Sequence, residues 1–263
     1  MSSQLRSVHA TRYIMPLREG GSLPGLVEAD DDGIYVVKFR GAGQGSGALV
    51  AEIVAGELAR LLGLPVPELV FVEIDPLLGR SEPDGEVQSL IQNSAGQNVA
   101  CDFLPGALPF DGAMLSQVDP LLASKIVWFD AFVTNIDRTA RNTNMLWWHR
   151  RLHLIDHGAS LFVMHAWDGY EDRIRSPFSA IKDHVLLPIA AHVAEVDAEM
   201  TATVTPERLT AICQLVPDAW WPLGRRWSDA EQVKSALMNY LLGRLAAPRP
   251  FVDEVLRARA TFV

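Results

Sequence analysis

The sequence predicts an α+β chain in two lobes: a small, mainly β N-terminal lobe with one long helix over residues 1–103, and a mainly helical C-terminal lobe over 104–263. Three observations predict it. Strand signals dominate the first hundred residues, one long helical pattern interrupts them, and mostly helical signals follow residue 104. At 263 residues the chain also exceeds the usual ceiling for a single core.

The elements follow in order from local causes. His9 to Leu17 mixes Ala, Thr, Tyr, Ile and Met and predicts a strand, broken by Glu19-Gly-Gly-Ser-Leu-Pro-Gly25. Gly33-Ile-Tyr-Val-Val-Lys-Phe39, behind an Asp-Asp-Asp-Gly turn, is a β-branched and aromatic run and predicts a second strand. Gly41 to Gly47 reads as a loop. From Ala48 to Leu62 the apolar residues Leu49, Ile53, Leu58 and Leu61 recur on one helical face, and Gly63 with Pro65 beyond it marks the end. Glu68 to Ile74 alternates as a strand.

In the second half, Asp119-Pro120 pairs a cap with a first-turn proline and opens a helix through Ile126 and Phe129 to Val133. Met145-Leu-Trp-Trp148 and Leu152-His-Leu-Ile155 predict a short hairpin. Thr205-Pro206-Glu207 opens another helix, and Ser228-x-x-Glu231 reads as a capping box ahead of Val233 to Leu245.

Composition limits the function. A net charge of −9 disfavours a general nucleic-acid or anionic-membrane binder, which clustered Lys and Arg would hold. Cys101 and Cys213 have no metal-type spacing, and the seven His show no HExxH or HxH pattern, which argues against zinc. The N-terminus lacks the apolar core of a signal peptide, and no apolar run is long enough for a membrane span. A cytoplasmic protein with free thiols is expected.

The chemistry-bearing pattern is Asp137-Arg-Thr-Ala-Arg-Asn142, then an apolar hairpin, then Leu154-Ile-Asp156-His-Gly158. Phosphoryl transfer needs phosphates neutralised, a metal fixed and an acceptor hydroxyl held in line. Asp137 is the candidate to orient or deprotonate the hydroxyl. Asn142 and Asp156 are candidate oxygen ligands for Mg²⁺. Lys38 would present an ammonium to the ATP phosphates from a rigid strand, and Glu52 would pair with it. Glu57 competes with Glu52 but lies about 140° around the helix, at about 100° per residue. Taken singly, each residue has a blander reading as a turn or surface group, and the ordered set carries the argument. Arg138, Arg141, Arg150 and Arg151 crowd the region as solvated or paired residues, or as phosphate contacts. Gly20 to Gly25 and Gly41 to Gly47 could cup an anion but fit no phosphate-loop pattern.

At Lys38, Glu52, the Gly63-Leu-Pro-Val-Pro67 after the helix, Asp137 to Asn142 and Leu-Ile-Asp156, the chain resembles the bacterial-type HipA-like kinases, over roughly residues 10 to 165. That group is related to the phosphatidylinositol 3- and 4-kinases. The resemblance implies a two-lobed protein-kinase-like fold and transfer of the ATP γ-phosphate with Mg²⁺, commonly to a protein serine or threonine. It implies catalysis by Asp137 with Lys38, metal binding by Asn142 and Asp156, a supporting role for Glu52, and an adenine-binding hinge with Val99, Cys101 and Phe103. A small-molecule or lipid-head-group kinase and a pseudokinase binding module are the alternatives. Two residues depart from the family pattern: Thr139 stands where the catalytic loop usually has His, and His157 where the metal segment often has Phe. The chain is shorter than full-length toxin kinases of this type, no counterpart of their extra N-terminal subdomain is expected, and their antitoxin partners and substrates are not implied.

Overall fold

The computed structural model describes residues 4–17, 23–43 and 45–262, so the first half of the Gly20 to Gly25 loop and Gln44 lie outside the described residues. Five strands form a closed barrel in the order β1-β2-β3-β5-β4: β1 (Arg6–Pro16), β2 (Gly25–Ala29), β3 (Ile34–Lys38), β4 (Leu69–Ile74) and β5 (Gly96–Asp102). All pairings are antiparallel except β1 with β4, whose parallel register from Arg6↔Val70 to His9↔Glu73 closes the ring. Its interior is a compact cluster including Val8, Val27, Tyr35, Val37, Val70 and Val72. The β2–β3 turn owes its geometry to the acidic run: Asp32 adopts a left-handed φ of 61°, and Asp31 Oδ1 accepts the Gly33 N–H at 3.0 Å.

Between β3 and β4 runs α1 (Ser46–Leu61), two residues earlier at its start than the periodicity predicts. It ends as Gly63 leads one to expect. Gly63 has a φ of 73°, its N–H donates to the Arg60 carbonyl, and the Leu64 N–H donates to that of Ala59 at 2.9 Å. The helix is buried along almost its whole length and packs outward from the barrel, against the second and larger core. Gly56 permits that approach, since a Cβ there would lie 2.7 Å from Leu69 Cδ1. A short helix the sequence reading did not anticipate, α2 (Gly85–Asn93), precedes β5.

After β5 the chain turns helical. A two-residue strand, β6 (Leu108–Pro109), leads to α3 (Pro120–Phe132), capped by Asp119, whose carboxylate accepts the Leu121 N–H at 3.1 Å. Mostly apolar, α3 is central: from Ile126 to Val133 every residue is buried, the charged Asp130 included. The hairpin β7 (Met145–Trp148) and β8 (Arg151–Leu154) follows, with β6 as its third strand. Its two-residue turn, His149-Arg150, has left-handed φ at both positions, as tight hairpins require.

The remaining helices are α4 (Tyr170–Arg173), α5 (Val193–Thr203), α6 (Pro206–Cys213), α7 (Ala230–Leu245) and α8 (Pro250–Arg259). Thr205 caps α6 by accepting the Arg208 N–H. At α7 the sequence expectation is off by one residue. Asp229, not Ser228, is the cap and accepts the Gln232 N–H at 3.0 Å, while Gln232 Oε1 accepts the Ser228 N–H. Aspartate is at least as good a cap as serine, so the box shifts to Asp229–Gln232. Arg244 of α7 is buried with no carboxylate partner among the described residues. It donates to the carbonyls of Ala131, Phe132 and Ser176 and lies over the Phe251 ring, tying the end of α3 to the segment after α4.

Candidate active site

A cleft of about 1390 Å³ opens between the barrel and the helical part. Lys38, Glu52, Asp137, Asn142 and Asp156 all line it.

Lys38 is the last residue of β3, and Glu52 sits in the second turn of α1. The ammonium Nζ lies 2.5 Å from Glu52 Oε2 and 2.6 Å from Asp156 Oδ1. Glu52 Oε2 also accepts the His157 backbone N–H at 2.8 Å, so one carboxylate anchors both the lysine and the turn beyond β8. Glu57, the competing candidate, lies elsewhere and pairs with Arg60 at 3.3 Å. Burial disfavours charge on both Lys38 and Glu52, but their mutual attraction outweighs it. Glu52 is thereby held down at about 2, with help from His157, and Lys38 is raised by Glu52 and Asp156. The pair stays ionised.

Asp156 arrives here because the hairpin continues past β8: the Ile155 N–H donates to the Asn144 carbonyl at 3.0 Å. The next residue turns sharply, with Asp156 at a left-handed φ of 53°, a conformation aspartate tolerates better than most residues. His157 is fully buried. Its ring meets Phe129 edge-on, with centroids 6.1 Å apart; Nδ1 lies 3.8 Å from Glu52 Oε1, and neither ring nitrogen has a hydrogen-bond partner among the described residues.

Asp137 and Asn142 belong to the loop between α3 and β7. Asp137 Oδ2 accepts from Asn142 Nδ2 at 2.8 Å and from Asn144 Nδ2 at 3.1 Å. Thr139 shapes the loop rather than its chemistry: its N–H donates to the carbonyls of Asp137 and Asn142. Asp137 Oδ1, Asn142 Oδ1 and Asp156 Oδ2 have no hydrogen-bond partner among the described residues. Among those residues, too, no group of three or more His, Cys, Asp or Glu is arranged to hold a metal ion. Any metal here would be shared between Asp156, Asn142, water and a bound phosphate, which suits Mg²⁺.

The expected hinge residues divide. Cys101 and Phe103 line the cleft, whereas Val99, opposite Lys38 in the β3–β5 register, is fully buried in the larger core. Burial, and then the Glu52 charge, push the Cys101 thiol up to about 12, so it is an uncharged packing group.

Below the loop lies a network that sequence reading missed. Asp130 of α3 is fully buried and accepts from Arg138 Nε at 2.6 Å, from Asn135 Nδ2 at 2.9 Å and contacts His184 Nε2 at 2.9 Å. Burial works to raise its carboxyl, but Arg138 and His184 outweigh it and hold it at about 2. Arg138 is therefore neither solvated nor a phosphate contact. One signal was present, a single charge inside the apolar run Ile126 to Val133, where only a paired carboxylate can be buried. For His184, 54 residues from Asp130, there was none.

The sequence profile of the family described as HipA-like kinase matches residues 11–251. No curated protein matches the chain. In three dimensions the chain is similar to the crystal structure of a Helicobacter pylori proinflammatory kinase, CtkA, with TM-score 0.58 and 14% identity over 98% of this chain and 99% of that one. It is also similar to the Golgi casein kinase with Mn/ADP bound, with TM-score 0.48 and 13% identity over 100% of this chain and 75% of that one. The first likeness establishes an α+β kinase-like fold and no more. The family match covers most of the chain, and with it the protein belongs to the HipA-like kinases.

Proposed function

We propose that this kinase transfers the γ-phosphate of ATP to a serine or threonine hydroxyl of a protein, with Mg²⁺ as its metal. The observation that carries the reading is the Lys38 ammonium held by both Glu52 and Asp156, in the cleft that also contains Asp137 and Asn142. Phosphoryl transfer asks a protein mainly for position and charge, and each residue supplies one of these.

Lys38 offers a permanently charged group to the α- and β-phosphates, because its carboxylate partners raise its pKa. Cys101 and Phe103 supply the surface against which the adenine would lie. Asp156 Oδ2 and Asn142 Oδ1 would hold the metal. Mg²⁺, when bound, neutralises charge on the β- and γ-phosphate oxygens. Asp137 Oδ1 receives the acceptor hydroxyl. The hydroxyl oxygen bonds to the γ-phosphorus, the bond to the bridging oxygen breaks, ADP leaves with that electron pair, and the hydroxyl proton passes to Asp137.

A protein acceptor fits the size of the cleft. At about 1390 Å³ it exceeds the roughly 300–1,000 Å³ of most small-molecule pockets, leaving room beside a nucleotide for a polypeptide segment. Among the described residues no helix is long and apolar enough to cross a membrane. Cytoplasmic residence is the proposed setting for the two free cysteines.

Thermal unfolding with ATP tests the nucleotide and metal together. A ligand at a hundred times its Kd stabilises the native state by about 2.7 kcal/mol. A Tm increase that needs both ATP and Mg²⁺, and shrinks in Asp156→Ala, is the expected result. No shift at millimolar nucleotide contradicts the reading.

A further inference from the structure

We propose that Asn144 is a positioning residue for phosphoryl transfer, fixing which oxygen of Asp137 faces the acceptor. This rests on the reading of Asp137 as the group that receives the hydroxyl proton.

Asn144 lies at the mouth of the hairpin, half-buried on the cleft wall, and adopts a left-handed φ of 46°. Its side-chain amide and its carbonyl are both engaged by neighbouring residues. Its Nδ2 donates to Asp137 Oδ2 at 3.1 Å, and its carbonyl accepts from Ile155 N–H and from Arg138 Nη1. Arg138 is in turn fixed by buried Asp130. A second route reaches the same residue, because Asp130 also accepts from Asn135 Nδ2, and Asn135 Oδ1 accepts the Asp137 N–H at 3.1 Å. One buried carboxylate thus holds Asp137 at its backbone through Asn135 and at its side chain through Arg138 and Asn144.

The consequence concerns one oxygen. Oδ2 is occupied by Asn142 and Asn144, which leaves Oδ1 as the atom that takes the acceptor proton. Asn142 cannot do this alone if its carbonyl is engaged by a metal and its amide shifts with it. Asn144, locked to the Asp130 network, provides the reference that does not move with the nucleotide.

Two variants separate positioning from mere shape. Asn144→Asp keeps the size and the tolerance for left-handed backbone but replaces the donor with a carboxylate facing Asp137. Asn144→Gly keeps the backbone and removes the side chain. The protein is incubated with labelled ATP and Mg²⁺, and both ADP and protein-bound phosphate are counted beside Asp137→Ala.

The expected result is a fall in kcat of about tenfold for Asn144→Gly and about a hundredfold for Asn144→Asp, the scale of a misplaced reacting group. The KM for ATP and the ATP-induced Tm shift stay at wild-type values. Wild-type kcat in both variants, with Asp137→Ala inactive, overturns the role of Asn144 and leaves that of Asp137 standing. So does a loss of ATP binding equal to the loss of rate. Full turnover in Asp137→Ala, or none in the wild-type protein, overturns the reading of Asp137 on which the inference rests.

Discussion

Lys38 and Asp156 stand 118 residues apart in the chain and form an ion pair at 2.6 Å. The contact joins the barrel to the turn after the hairpin, and Glu52 secures it from the side by binding Lys38 and the His157 N–H on one oxygen. The lysine is thus held beside the carboxylate proposed to bind the metal.

Replacing Glu52 with Gln tests this arrangement. Removing one partner of a buried pair costs about 3–5 kcal/mol when the other charge is stranded. Lys38 keeps Asp156, so a smaller loss of about 2 kcal/mol is expected. Urea unfolding should show a lower midpoint with an unchanged slope. The ATP-induced Tm shift should also fall, because the lysine is no longer held from α1.

Stability should depend on acid pH in a stated direction. Glu52 and Asp130 are held at about 2 in the folded protein, below their ordinary values of 4.5 and 3.8. In the window between these values the unfolded chain binds protons that the native state refuses, so lowering pH favours unfolding. Their contribution is complete above about pH 4.5 and is lost as pH falls towards 2. Urea midpoints measured from pH 6 to 3 should decline, and Glu52→Gln should flatten the decline. A midpoint that rises on acidification contradicts the assignment.

Asp130→Asn strands Arg138, which is 1% exposed, beneath the loop that carries Asp137 and Asn142. The expected loss is about 3–5 kcal/mol, read by chemical unfolding. Near-normal stability would mean that the Asp130 network does not hold the loop.

The same network marks where sequence reading stops. The helix at 46–61, its Gly63 end, the hairpin and the Asp119 cap were legible because local spacing and turn chemistry determine them. Lys38, Glu52, Asp137, Asn142 and Asp156 stood out as an ordered set of polar groups, and the structure brings all five into one cleft. What supports them was not legible, because it depends on how an irregular loop folds back on α3 and, for His184, on a partner 54 residues away. Nothing local to His184 or Asn144 reveals that one packs on Asp130 and the other on Asp137. Val99 shows the limit from the other side. It shares a face of β5 with Cys101, because side chains alternate along a strand, but it is fully buried in the larger core while Cys101 reaches the cleft, a difference of depth that sequence order does not show.

Arg244 supplies a stability test away from the cleft. Arg244→Met removes the donors to the Ala131, Phe132 and Ser176 carbonyls, and each stranded acceptor costs about 1–3 kcal/mol. A Tm drop of several degrees is expected, with the segment at residues 174–176 becoming the first to exchange its amide hydrogens. Unchanged Tm and exchange would show that water replaces the guanidinium without loss.

The most direct test of the account is transfer from γ-labelled ATP with Mg²⁺ by the wild-type protein, Asp137→Ala and Asp156→Ala. The account predicts turnover in the wild type and a fall of at least about a thousandfold in each variant, the scale of losing a proton acceptor or metal ligand. Turnover that survives both substitutions contradicts it.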